Sequence, residues 1–176
     1  YRNKLYIGVV CTAETSQKKE DVKAAIYELS FKDYQFKKSI EFPLDYIRDP
    51  LDNTQGCDTI KTWKPWGKTF PKQCNYPLGA PDPVSAFLVN PQPILSDIEF
   101  DTNGDMIIGF IDRTGFQTGD ENFSPNPENG IGNFNGFAGG DILRAQFNGN
   151  GSNWTIENNG TVSCVTTSGA GNGQGP

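Results

Sequence analysis

Residues 94–113, ILSDIEFDTNGDMIIGFIDR, constrain the fold more than any other stretch of the chain. Apolar and polar residues alternate along 96–100 and 105–111, and Asp101-Thr102-Asn103-Gly104 lies between the two runs. A period of two sends successive side chains to opposite faces of a strand, and Asn-Gly between two such runs is a strong short-range hairpin signal. The stretch predicts antiparallel β-structure and by itself carries no reaction.

Composition extends that reading to the whole chain. Only 35% of the 176 residues are apolar, whereas Gly is abundant and aromatic residues make up 12%. Such a mixture is typical of all-β modules with long turns. The net charge of −6 argues against a nucleic-acid partner or an anionic membrane surface, because no basic stripe accompanies it. Lys18-Lys19 and Lys37-Lys38 read as solvated turn or edge residues. No apolar run approaches the length needed to span a bilayer, so direct membrane insertion is not expected.

Strands are expected at residues 4–10, 23–29 and 34–42, with polar turns between them. The second is ambiguous, because Ala24, Ala25 and Glu28 also favour a helix that Asp21 could cap; strand is the preferred assignment. A second meander is expected at 94–100, 105–112, 140–147 and 153–157. The two meanders match. KLYIGVV at 4–10 aligns with DMIIGFI at 105–111, Gly8 over Gly109, and KAAIYELS at 23–30 aligns with GDILRAQF at 140–147. Four-stranded units repeated along a chain are the signature of a β-propeller, which closes with about 4–8 blades. The expected fold is therefore all-β: consecutive four-stranded antiparallel blades, the first lacking its innermost strand. Residues 1–46 form the incomplete first blade and 94–160 the second. Residues 161–176 form a Gly-rich segment leading to the next blade, and the remaining blades of the same polypeptide are the implied partner.

Residues 47–93 hold eight of the twelve prolines and predict a long irregular insertion. Trp63, Trp66, Phe70, Tyr76 and Phe87 are too many large apolar groups for a solvated tether, so the insertion is expected to be ordered. Trp63 and Trp66, near Lys61, Lys64 and Lys68, could form a platform for sugars, or could simply anchor the loop. Cys11, Cys57, Cys74 and Cys164 allow three pairings into two disulfides, and could also stay free or converge on a metal. Cys57–Cys74 is the preferred bridge because both lie in the same irregular loop, which leaves Cys11–Cys164.

LSDIEFDTNGDMIIGFIDRTGFQTG, GGDILRA, KLYIGVVC with EFPLDY, and GAGNGQGP together resemble the propeller-like region of very large secreted surface proteins of Bacteroidota and other filamentous or gliding bacteria. The similarity spans most of the chain apart from residues 47–92. It implies an extracellular location, a role in adhesion, surface attachment or motility, and truncation from a longer polypeptide. It transfers no catalytic motif.

Candidates for chemistry are few. Asp97, Asp112 and Arg113 fall near strand ends, where a propeller's axial channel would lie; carboxylates there could hold Ca²⁺, bind a ligand or hydrolyse glycosides, or could serve only as turn caps. Asp101, Asn103 and Asp105 have the first spacing of a calcium loop without its distant Glu. The chain has no His, which excludes Ser/His/Asp and Cys/His catalysis, and the expectation is a protein without enzymatic activity or a required cofactor. Sequons begin at Asn122, Asn150, Asn153 and Asn159, and Asp58-Thr59-Ile60 matches a short O-glycosylation signal. A glycan or protein partner at the surface, or docking of the 47–92 loop on a secretion or motility machine, completes the expectations.

Overall fold

The computed structural model of the protein describes residues 1–48, 61–70, 85–123, 133–149, 153–158, 160–162 and 165–166. Cys57, Cys74, Cys164, the Asp58-Thr59-Ile60 signal and most of the C-terminal Gly-rich segment lie outside the described residues. Cys11 is exposed and makes no disulfide among them.

The fold is all-β, built mainly from antiparallel sheets. The first sheet is a meander of β1 (Lys4–Cys11), β2 (Lys23–Ser30) and β3 (Phe36–Pro43). The ambiguous segment is a strand because it is the central one: β1 pairs along one edge and β3 along the other, and Ala24, Ala25 and Ile26 are all buried. Tertiary pairing overrides the helix preference of the alanines.

The second sheet holds β5 (Pro93–Phe100), β6 (Met106–Asp112), β9 (Asp141–Phe147) and β10 (Trp154–Ile156), paired in chain order. Its hairpin differs from the tightest two-residue form. Gly104 N–H bonds to the Asp101 carbonyl at 3.0 Å, and Gly104 has φ +90° while Asn103 does not enter the left-handed region. A single left-handed glycine closing an ordinary turn is what the Asn-Gly pair provides here.

Between these sheets in sequence lie β4 (Ser85–Leu88), the helix α1 (Arg113–Thr118), β7 (Asn122–Phe123) and β8 (Asn133–Gly136). β4 and β8 pair in parallel and β7 joins β8 antiparallel, so parts of the two expected loops meet in a small mixed sheet. The short helix was not expected within residues 114–139. Asp112 caps it through Thr114 N–H at 2.9 Å, and Gly119, at φ +64°, ends it. Gly115 brings its backbone against Ala138, where a side chain would collide.

The two meanders face each other over one core. Val22, Ala24, Ile26 and Phe42 come from the first sheet, and Met106, Ile108, Phe110, Leu143, Ala145 and Trp154 from the second. Trp63 and Leu44, both fully buried, close one end. An aromatic group at the other end joins Tyr1 stacked on Phe100 at 4.0 Å and Tyr6 edge-on to Trp154 at 5.8 Å.

The repeat needs one correction in register. β1 pairs Gly8 with Ile26, and β6 pairs Gly109 with Ile142, so with the glycines superposed Ile26 corresponds to Ile142 and not to Leu143. A one-residue slip exchanges the two faces of a strand. In the corrected register Gly8 looks into the shared core, against the Leu95 methyls, whereas Gly109 looks out of it, beside Asp97 and Ser96. The glycine-bearing face of the first sheet therefore turns toward the second sheet, and the glycine-bearing face of the second turns away from the first. Both outermost faces keep apolar side chains: Leu5 and Val9 on the first sheet, Ile111 and Ile142 on the second.

Candidate functional site

A polar network lies at the Trp63 end of the core. Tyr46 donates its hydroxyl hydrogen to Asp141 and accepts from Trp63 Nε1 at 3.3 Å. Arg48 lies with its guanidinium 3.8 Å from the Trp63 ring centroid and donates Nη1 to the Gly139 carbonyl at 3.2 Å. Burial, with the Asp141 charge beside it, raises the Tyr46 phenol above its ordinary range, and the same burial lowers Arg48. Trp63 is thus wholly internal. As a sugar platform it is excluded; it is the anchor of the insertion, held by packing and by its one N–H.

Asp112 is also internal. Its Oδ1 accepts from Gln92 N–H at 3.1 Å and from Thr114 N–H, and its Oδ2 faces Gly139 N–H at 3.4 Å. Burial raises its pKa, and those backbone donors partly offset the rise. Asp97 is exposed and bonds to the neighbouring Ile98 N–H. Pairing sets Asp97 opposite Gly109 and Asp112 opposite Pro93, three residues apart along β6 and hence on opposite faces of the sheet. The two carboxylates do not converge, so the expected axial pair does not form. Asp112 is a turn and helix cap, tying residues 92, 114 and 139 together.

Asp101, Asn103 and Asp105 form the hairpin itself. Asp101 Oδ1 accepts from Asn103 and Asp105 N–H, Asp105 Oδ1 accepts from Phe147 N–H, and Arg144 bridges the remaining oxygens at 2.8 and 2.7 Å. With their oxygens engaged by an arginine and by backbone donors, these carboxylates are a fastening between β6 and β9 and not a calcium loop. Among the described residues no group of three or more possible ligands could hold a metal ion.

Among the described residues, Arg113 reaches a cleft. Its guanidinium lies 4.6 Å from the Trp66 ring centroid and donates Nη1 to Gln92 Oε1, while Trp66 Nε1 donates to the Pro93 carbonyl at 3.0 Å. One face of Trp66 is therefore covered by the arginine. Arg113 opens onto a cleft of about 450 Å³ between residues 67–70, α1 and β7–β8. Phe70 and Phe134, edge to face at 5.1 Å, form one wall, and Phe123, 83% exposed, stands at another. Lys68, Gln117 and Asn122 supply polar atoms. Sequence patterning could not find this cleft, because its walls come from segments that meet only through α1 and the small mixed sheet. The neighbourhood of Trp66 and Arg113 was its only signal.

No protein-family model and no solved structure matches the chain. Among curated proteins, Colossin-A of Dictyostelium discoideum is 32% identical over 119 residues. The match takes in 66% of this chain and 1% of Colossin-A, so the chain corresponds to a very small part of that protein's length. No helix among the described residues is long and apolar enough to cross a membrane.

Proposed function

We propose that the two sheets are neighbouring blades of a β-propeller, and that the chain is a non-catalytic building module of a very long exported polypeptide, acting at the cell surface in attachment. The carrying observation is the pair of equivalent glycines. Gly8 receives Leu95 of the following sheet, and Gly109 presents the same surface on the opposite side of the molecule. A head-to-tail relation of this kind continues from one unit to the next, whereas a closed two-sheet sandwich turns its polar faces outward. Leu5, Val9, Ile111 and Ile142, on the two outermost faces, are the side chains such neighbours would cover. The similarity to 1% of Colossin-A also favours a small part of a long chain.

A structure of the natural polypeptide tests the reading. Successive sheets stacked on the Gly109 face and closing into a ring are expected. Residues 4–156 standing as an isolated sandwich, with Ile111 and Ile142 in water, would refute it. Antibody labelling of intact cells tests the location: surface staining is expected, and staining only after permeabilisation would contradict it.

A further inference from the structure

We infer that the cleft beside Arg113 is a binding site for a carboxylate-bearing saccharide. Arg113 is positioned before any ligand arrives: Trp66 backs its plane at 4.6 Å and Gln92 takes one Nη1 hydrogen. A guanidinium has five N–H donors in a rigid fork, so the rest of that fork is free to meet a carboxylate bidentately. Lys68 adds a second positive charge at the same opening, and no Asp or Glu lines the cleft among the described residues. Asp120 and Glu121 adjoin Asn122 in sequence but are exposed and form no part of the wall. Within a chain of net charge −6, a cleft whose described walls carry two cations and no carboxylate favours anions.

The remaining lining sets the class of anion. Gln117 and Asn122 each offer an amide that both donates and accepts, the pattern that hydroxyl groups satisfy. Phe70 and Phe123 present apolar ring surface to the same space, which suits the C–H face of a pyranose. At about 450 Å³ the cleft falls within the range of small-molecule sites, which runs from roughly 300 to 1,000 Å³. A small inorganic anion would leave the aromatic walls unused, and a neutral sugar would leave the two cations unused. The site is independent of whether the sheets belong to a propeller.

Calorimetric titration of the 176-residue chain with a galacturonate trisaccharide tests it, with a neutral galactose trisaccharide and a short neutral peptide ending in a free carboxylate as comparisons. Saturable binding of the galacturonate is expected, with the neutral sugar and the peptide each about tenfold weaker or more, the size of one lost charge-assisted contact. Lys68→Glu and Phe123→Ala, both at exposed positions, are expected to weaken binding by a similar factor while the far-UV spectrum and melting temperature stay unchanged. Arg113→Gln should do the same, but its side chain also packs on Trp66, so the two exposed variants decide. Absence of saturable binding, equal binding of the neutral sugar, tighter binding of the peptide, or unchanged affinity in both exposed variants would overturn the assignment.

Discussion

Gly8 and Gly109 align in the sequence match between the two meanders, yet their surroundings are opposite. At Gly8 any added side chain meets the Leu95 methyls; at Gly109 the nearest atoms to an added Cβ are Asp97 Cβ and Ser96 Oγ, both 3.5 Å away. The first glycine lies at the interface between the two sheets, and the second lies on a face that neither sheet covers. What a strand buries is therefore decided by which sheet stands next to it. The pair of sheets displays both conditions at once.

The filled side should be the more sensitive to substitution. Trp63→Ala, which empties the largest buried side chain at the end of the core, is expected to cost about 3–5 kcal/mol. Ile142→Ser, on the open face, should change stability by less than about 0.5 kcal/mol. Urea unfolding of the two variants compares them, and similar losses would break the contrast. Gly8→Ala forces Leu95 aside and should cost about 1–3 kcal/mol. Gly109→Ala, in ordinary contact only, should lie within about 0.5 kcal/mol of the parent.

A smaller effect concerns Asp112. Burial raises its folded-state pKa above the unfolded value, so the folded protein holds this proton more tightly. Its contribution to stability is greatest at low pH and is lost as pH rises from the ordinary carboxylate range through the raised value. Asp112→Asn keeps an oxygen for Gln92 and Thr114 N–H, and should flatten that slope in denaturation midpoints measured across the acid range. A slope unchanged by the substitution would assign it to another group, of which Glu157, raised in the same direction by burial, is the first to examine.

The strands were legible because their cause is local: alternation in residues 94–111 and the turn chemistry of Asn103-Gly104 act over a few residues. The sequence match between the two meanders rests on Gly8 and Gly109, but its second strand was set one residue out of register: laying residues 23–30 over 140–147 opposes Ile26 to Leu143, whereas pairing to the two glycines equates Ile26 with Ile142. Letters do not record which face a side chain takes. Trp63 and Asp112 were read as possible ligand contacts because aromatic and acidic residues carry the same signal whether exposed or buried. Their burial depends on Tyr46, Arg48 and Gln92, each distant in sequence from at least one partner. The cleft was hidden for a related reason. Helix α1 is only six residues long, too short to show a period, and its start is marked by a single cap at Asp112.

The most direct measurement is the melting temperature of Gly109→Ala in two settings, the 176-residue chain alone and the longer polypeptide that the proposal requires. If a further sheet covers this face as the second sheet covers Gly8, the substitution should be silent in the isolated chain and should lower the melting temperature in the long one by about as much as Gly8→Ala does. A substitution silent in both settings, with Gly8→Ala destabilising in both, would mean that nothing stands on the Gly109 face and that the two sheets are not successive members of a larger ring.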